Sequence, residues 1–382
     1  MAIDESETYY SYFCFLVIFQ MHKIKTPIGE NPLTKIKLRN AFYPIIIGLG
    51  VVGYLFYKEF NPSAFDVITF SRWSVCWLII AFCFMGMRDF GYMLRLRVLT
   101  EGMLSLRQSF RVIMLWEFTS AITPSAVGGT AVATLYVNKE GLSVGRSSAV
   151  VMITSFLDEL YFILFFPIVL LIVSPTALFG LGITTGGAVK FSEDLFLFCL
   201  IGYSVKFIWV ALLSYGLFIN PRGLKWLLML IFKLPLLRRW KHGANRAGTD
   251  IIHSSREYRK KPFSFWLKAF GTTFLSWTSR YCVVNALLLA FFAVGDHVLI
   301  FARQLAMWII MLISPTPGGS GFAEYVFTRY LGEFIPVDAA VLGSVVIAMA
   351  LLWRMISYYP YLLIGAIIFP RWLKTKFVNK VE

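Results

Sequence analysis

Charge is scarce in this sequence, and so are residues arranged to bind a metal. Of the 382 residues, 15% are charged and 58% are hydrophobic, whereas charged residues make up about 25% of a typical soluble domain. The mean hydropathy is +0.70. This balance excludes an ordinary soluble globular protein and predicts an all-α, polytopic membrane protein.

The five cysteines and four histidines are dispersed along the chain. Cys14, Cys76, Cys83, Cys199 and Cys282 lie in apolar runs without metal-ligand spacing, which is typical of small packing residues. We therefore expect no metal site and no cofactor. The sequence also lacks a DxD motif and a nucleophile with a base at suitable spacing, which argues against an enzyme.

Basic residues outnumber acidic ones: 36 Lys and Arg against 21 Asp and Glu give a formal net charge of +15. In membrane proteins Lys and Arg collect in cytoplasmic loops, where the anionic inner leaflet favours them. We attribute the excess to membrane topology and expect no nucleic-acid partner.

Six apolar stretches are long enough to cross about 30 Å of hydrocarbon. They are roughly residues 41–57, 73–87, 149–173, 195–218, 265–294 and 339–368. Two further apolar segments, 110–137 and 301–331, are interrupted by Pro and Gly. The N-terminal segment, residues 1–35, holds an apolar run too short to span and has no basic start typical of a signal peptide. Either this run is an interfacial segment, or translation starts at Met21 and the run is not part of the protein. We prefer the second interpretation.

Basic clusters predict which loops are cytoplasmic. The first cluster is Lys23, Lys25, Lys35, Lys37 and Arg39; the second, after residue 87, is Arg88, Arg95, Arg97, Arg107 and Arg111; the third is the loop 221–261; the last is the tail 370–382. The stretch 174–194 and Asp296 are then external. With these sides assigned, each broken segment begins and ends on one side. We predict two re-entrant helical hairpins, 110–137 entering from the cytoplasm and 301–331 from outside.

The two breaks resemble each other. "ITPSAVGGTA" from Ile122 and "ISPTPGGSGFA" from Ile313 share an Ile, a hydroxyl residue, a Pro and a Gly-Gly pair. Similar broken elements of opposite orientation are typical of an inverted repeat whose irregular backbone lines a buried cavity. The alternative is a pair of Pro kinks with small residues that permit close helix packing.

Seven ionisable residues fall within the apolar stretches: Glu117, Asp158, Glu159, Lys206, Arg280, Glu324 and Arg354. Each would cost about 2.5–3.5 kcal/mol at the centre of a membrane helix. They must face one another or a wet cavity. A buried pair retained for structure alone is the alternative to a functional role for any of them.

We predict an anion site where the breaks meet these charges. Arginine is permanently charged and binds phosphate oxygens with two parallel hydrogen bonds, and a helix start offers free N–H groups to an anion. The predicted substrate-binding residues are Gly128, Gly129, Thr130, Gly318, Gly319, Gly321, Arg280, Arg354, Glu324, Glu117 and Asp158. Thr130 or Ser320 would cap the second half-helix of its hairpin. Glu324 and Glu117 would bind a cationic headgroup, carry a proton or pair with the arginines.

At these residues the chain resembles the flippase-like membrane domain of the lysylphosphatidylglycerol synthetase family. The motifs are "PSAVGG" from Pro124, "DE" at Asp158, "PTPGGSGFAE" from Pro315 and "WRMISYYPYLLIG" from Trp353. The likeness covers residues 36–369. It implies inverted repeats, re-entrant helices, movement of an anionic or modified lipid between leaflets, and a bacterial inner membrane. The longest soluble piece, 221–261, is too short for the family's catalytic domain, so the resemblance is to a stand-alone member without synthetase activity.

Three functions remain open. The first is a transporter or flippase for a phospholipid or lipid-linked headgroup, with membrane lipids as partners. The second is an ion-coupled carrier of a small soluble anion, and the third is a membrane enzyme acting on lipid-linked substrates. The loop 221–261 is an amphipathic interfacial helix, an ordinary basic cytoplasmic loop or a partner-docking surface.

Overall fold

A computed structural model describes residues 68–122, 126–179, 186–231, 233, 241–311, 319 and 321–378. No strand occurs in those ranges. The helices are α1 (Arg72–Leu99), α2 (Leu106–Ile122), α3 (Ala126–Lys139), α4 (Val144–Ile172), α5 (Pro175–Phe179), α6 (Gly186–Phe218), α7 (Pro221–Ile231), α8 (Lys241–Tyr258), α9 (Phe263–Phe291), α10 (His297–Ile310), α11 (Phe322–Leu331), α12 (Ala339–Ser357) and α13 (Tyr359–Leu373). A 3₁₀ turn, Gly332–Phe334, follows α11, and a π turn, Lys374–Val378, follows α13.

Five segments are long and apolar enough to cross a membrane: Arg72–Leu99, Val144–Ile172, Phe196–Phe218, Phe263–Phe291 and Ala339–Lys376. They coincide with five of the six predicted spans, and the predicted span 41–57 lies outside the described residues. The last segment is two helices, because Tyr358 leaves helical geometry (φ −134°, ψ −57°) just before Pro360. The prediction of an all-α membrane protein is confirmed, and the exact number of spans stays a prediction.

The first described helix, α1, is longer than its predicted span and continues to Leu99. The prediction that Arg88 and Arg95 lie in a cytoplasmic loop was wrong, because both are buried on this helix, with exposed fractions of 1% and 3%. Their spacing of seven residues places them on one helical face. Gly91 brings α9 close to this helix, and the Ser276 hydroxyl on α9 donates a hydrogen bond to the Arg88 carbonyl oxygen.

The first predicted hairpin contains two antiparallel helices, α2 and α3. Arg111, near the start of α2, pairs at 3.0 Å with Glu140, which directly follows α3. Deeper in the pair, the hydroxyl oxygens of Thr119 and Tyr136 lie 2.6 Å apart. The two helices therefore run side by side, with the start of α2 next to the end of α3.

The second predicted hairpin contains the antiparallel pair α10 and α11. Arg303 on α10 donates a hydrogen bond to the carbonyl oxygen of Tyr330, near the end of α11, and pairs at 2.6 Å with Glu333. An arginine in the middle of the first helix thus binds a glutamate just after the second. A similar Arg–Glu pair joins Arg111 to Glu140, although only the Pro-Gly motifs suggested a correspondence between the two segments.

We expect Gly129→Ala to push α3 away from α2. A Cβ at this position would lie 2.9 Å from Cβ and 3.0 Å from Cα of Ser120, atoms that cannot move without the backbone. Overpacking of this kind costs about 1–3 kcal/mol, so the thermal unfolding midpoint in detergent should fall by roughly 2–10 °C. Gly86→Ala is the matched control, because nothing lies within 4 Å of an added Cβ there. Equal midpoints for both variants would contradict close packing of α2 and α3.

A pH dependence should arise at the turn after α1. Glu101 pairs at 2.7 Å with both Lys261 and Arg146, and the hydrogen bond from Lys261 is the main reason that its pKa is lowered. A lowered carboxyl pKa stabilises the fold above the unfolded value, about 4.3, and this stabilisation is lost as the pH falls through the folded value. The midpoint of the wild type should therefore exceed that of Glu101→Gln slightly at pH 7, and the difference should vanish at low pH. A difference that grows on acidification would contradict this ion pairing.

Candidate functional site

A cavity of about 390 Å³ lies where the two antiparallel pairs meet the longer helices. From the first pair it is lined by Ser120, Ala121 and Thr130, and from the second by Met311, Gly319 and Ala323. These residues flank the two Pro-Gly breaks. Residues on both sides of the two breaks therefore line the same cavity.

Each of the four predicted intramembrane acids is bound by a base. The pairs are Arg88–Glu117 (2.5 Å), Arg95–Asp158 (2.5 Å), Lys206–Glu159 and Arg354–Glu324 (2.9 Å). Two of the bases, Arg88 and Arg95, are those that the sequence analysis had assigned to a loop.

Within two of these pairs both partners line the cavity, and the carboxylate is more exposed than the arginine. The Glu117 and Asp158 side chains are each 25% exposed, whereas those of Arg88 and Arg95 are 2% and 3% exposed. Asp158 also accepts a hydrogen bond of 2.7 Å from the indole N–H of Trp277. Glu159 lines the cavity as well. The lining therefore presents carboxylate oxygens that a positively charged group can reach.

The pair Glu324–Arg354 closes the start of α11. Glu324 accepts a 2.8 Å hydrogen bond from the backbone N–H of Gly321 through one oxygen and the 2.9 Å bond from Arg354 through the other. Gly319 and Gly321 have φ of 69° and 81°, which glycine adopts without strain. The sequence analysis offered Arg354 and this helix start to an anionic substrate, but the protein's own carboxylate binds both.

Arg280 on α9 differs from the other bases in the lining. Its guanidinium lies 5.6 Å and 5.7 Å from the ring centroids of Trp277 and Trp308. It makes no ion pair with any residue that the structure describes. Phe162 stacks on Trp308 and completes the aromatic wall beside it. Among the arginines of the described lining, Arg280 is therefore the one without a carboxylate partner.

The remaining predicted site residues fall into three groups. Glu117, Thr130, Asp158, Arg280, Gly319 and Arg354 line the cavity. Gly129 is buried against Ser120, and Gly321 and Glu324 form the cap of α11. Gly128 lies in α3, and Gly318 and Ser320 lie outside the described residues. Since α3 begins at Ala126, Thr130 is inside that helix and does not cap it.

Sequence reasoning missed Arg88, Arg95 and the aromatic wall. The signal for the arginines was present in "RDFGYMLR", where Arg88, Tyr92 and Arg95 share one face of a helix. Both guanidinium groups lie 4.6 Å from the Tyr92 ring centroid. Their position next to a basic loop concealed them, because the positive-inside rule counts charges without asking which helical face they occupy.

Helices of membrane-spanning length around a charged internal cavity define a polytopic helical membrane protein. The chain belongs to the family described as the lysylphosphatidylglycerol synthase TM region, whose family model matches residues 42–365. The resemblance inferred from the motifs is thus confirmed. The chain is also similar to a UPF0104 membrane protein of Archaeoglobus fulgidus, at 25% identity over 347 residues that cover 88% of this chain and 98% of the relative. No solved structure matches it.

Replacing Arg354 by glutamine should lower the thermal unfolding midpoint far more than replacing Arg280 does. Arg354→Gln leaves the buried Glu324 carboxylate without its base, which costs about 3–5 kcal/mol. Arg280→Gln leaves no carboxylate of the described residues without a partner. We expect a large fall in the thermal midpoint for Arg354→Gln and little change for Arg280→Gln. Neutralising both partners in Arg354→Gln/Glu324→Gln should restore much of the loss. If Arg280→Gln destabilised the protein as strongly as Arg354→Gln, Arg280 would be a structural residue.

Proposed function

We propose that this protein moves a phosphate-bearing lipid or lipid-linked headgroup between the two leaflets of a membrane. The observation that carries the proposal is Arg280, which faces a cavity between the two broken helical pairs and has no carboxylate partner among the residues that the structure describes. A guanidinium at membrane depth is costly unless an anion or water meets it. A phosphate binds it with two hydrogen bonds and compensates its charge.

The two antiparallel pairs act in this proposal as re-entrant hairpins of an inverted repeat. They are similar in sequence, both line the cavity, and an Arg–Glu pair holds the two helices of each together. In such a repeat the hairpins enter from opposite sides, and substrate access alternates around a central site. The tail 370–382 is cytoplasmic in this topology. A bacterial inner membrane follows from the resemblance, while the archaeal relative shows that the family also occurs outside bacteria.

The lining favours a headgroup that carries both charges. Arg280 would bind the phosphate, while Glu117, Asp158 and Glu159 offer partly exposed carboxylates to an ammonium group. A lone anion would gain from Arg280 but would meet these three carboxylates as well. The volume, about 390 Å³, also exceeds the need of a small ion, since pockets of about 300–1,000 Å³ bind drug-sized ligands.

Transport of a small soluble anion is the second candidate. It draws on the same free guanidinium and the same two-hairpin arrangement. We propose no catalytic role. Each of the three partly exposed acids in the lining is paired with a base, and we assign them to binding a ligand and not to proton transfer.

Lipid translocation can be measured directly in proteoliposomes. Trace phosphatidylethanolamine or phosphatidylglycerol carries a fluorophore on an acyl chain, and added dithionite destroys fluorescence only in the outer leaflet. We expect the wild type to expose inner-leaflet lipid faster than empty liposomes do, and phosphatidylethanolamine faster than phosphatidylglycerol. Arg280→Gln should reduce the rate on the order of tenfold or more, since a charge-assisted phosphate contact contributes roughly 1.5–3 kcal/mol. Arg329→Gln, an exposed arginine on α11, is the control and should retain the rate.

Two outcomes would contradict the lipid assignment. In the first, Arg280→Gln moves both lipids as fast as the wild type. In the second, neither lipid moves while the same liposomes accumulate radiolabelled phosphate through the wild type and not through Arg280→Gln. That second result would favour the small-anion carrier.

A further inference from the structure

We infer a second ligand site, separate from the central cavity, where α7 begins and α8 ends: a surface pocket that binds the phosphate group of an anionic lipid. Its lining includes Arg222 from α7 and Ile252, Ser255, Arg256, Arg259 and Lys260 from the end of α8 and the turn after it. The pocket has a volume of about 410 Å³. None of its lining residues belongs to the central cavity.

Four cations line this pocket, and none has an anionic partner in the described part of the chain. Arg222, Arg256, Arg259 and Lys260 are exposed, and none forms an ion pair with a residue that the structure describes. The neighbouring acid, Glu257, is engaged by Arg146 at 2.7 Å. Positive groups held around one concavity repel each other, and a multivalent anion relieves that repulsion. Phosphate matches arginine best, because its oxygens accept paired hydrogen bonds from the guanidinium.

An apolar face adjoins the basic pocket. Arg222, Trp226 and Leu230 recur every fourth residue of α7 and therefore lie on one side of the helix. The exposed fractions of Trp226 and Leu230 are 67% and 45%. Tryptophan beside basic residues is typical of a helix lying in the membrane interface. A lipid can thus place its phosphate in the pocket and its acyl chains along α7, whereas a soluble phosphate would leave this apolar face unused.

The helix that carries most of the pocket, α8, contacts three of the membrane-spanning helices. Helix α8 packs against α4 and α6, and its last residue, Tyr258, donates a 2.9 Å hydrogen bond to the carbonyl oxygen of Leu99 at the end of α1. Of the three interpretations of the loop 221–261, this arrangement favours the interfacial one. An ordinary basic loop would hold its cations apart in water, whereas here they line one pocket beside an apolar helical face.

Native mass spectrometry of the full chain in detergent can test the site. The probe is dioctanoyl phosphatidylglycerol, and the spectra resolve how many lipids each protein molecule binds and at what concentration. We expect Arg256→Gln/Arg259→Gln to lose one bound lipid, with its apparent Kd raised roughly tenfold or more, because each basic group near an anionic lipid contributes about 1 kcal/mol. Arg371→Gln/Lys374→Gln removes the same charge from two exposed positions, in the last turn of α13 and in the π turn after it, and should leave binding within twofold of the wild type.

Equal losses in the two double variants would overturn the site, because they would show attraction to net charge alone. Unchanged binding in both would overturn it as well. Glycerol 3-phosphate separates the possible ligands: if it displaces the lipid at equal concentration, the pocket binds soluble phosphates and the lipid assignment fails. Arg280→Gln should retain this lipid, so failure of the surface pocket and failure of the central site give different spectra.

Discussion

A charge in the apolar part of a membrane protein must be matched, and this requirement organises the structure. Four ion pairs among the described residues of the cavity lining and its surroundings each join two different helices: α1 to α2, α1 to α4, α4 to α6, and α11 to α12. A helix that rotated or slid would separate a carboxylate from its base, at a cost of several kcal/mol. The pairs thereby restrict how these helices can be arranged around the cavity, whatever their net contribution to stability.

The same requirement separates structural charge from charge available to a ligand. Arg88, Arg95 and Arg354 line the cavity but are held by the protein's own acids. Arg280 is positioned by aromatic faces, which attract a cation without neutralising it. Among the described residues no carboxylate pairs with this guanidinium, which is why the proposed function places the anion there.

Ion pairs also connect each of the two helical pairs to a neighbouring segment, at positions away from the Pro-Gly breaks. Glu140 binds Arg111 and also Lys376 at 3.3 Å, which connects the first pair to the segment after α13. Arg303 binds Glu333 and also the carbonyl oxygen of Ala177 in α5, which connects the second pair to a different neighbour. The inner ends, near the Pro-Gly breaks, face the cavity instead. Any movement of a helical pair relative to its neighbours would therefore have to break these contacts or rotate about them.

The sequence by itself determined that the protein lies in a membrane and is helical. It also determined the positions of the two Pro-Gly breaks and the unusual number of intramembrane charges. These properties depend on composition and on the local chemistry of Pro and Gly, which need no knowledge of distant residues. It also indicated Arg280, Glu117 and Asp158, because a charge within an apolar run is visible without a structure. It misplaced Arg88 and Arg95, since an extension of a helix cannot be told from a loop by charge counting.

Only the tertiary structure decided which charges neutralise one another. The partners stand 29, 63, 47 and 30 residues apart in the chain, and no local pattern selects among so many possible pairs. That choice separated Arg280 from Arg354, which looked equivalent in the sequence. The physical reason is that pairing depends on the distance between side chains across helices, and helix packing alone determines that distance.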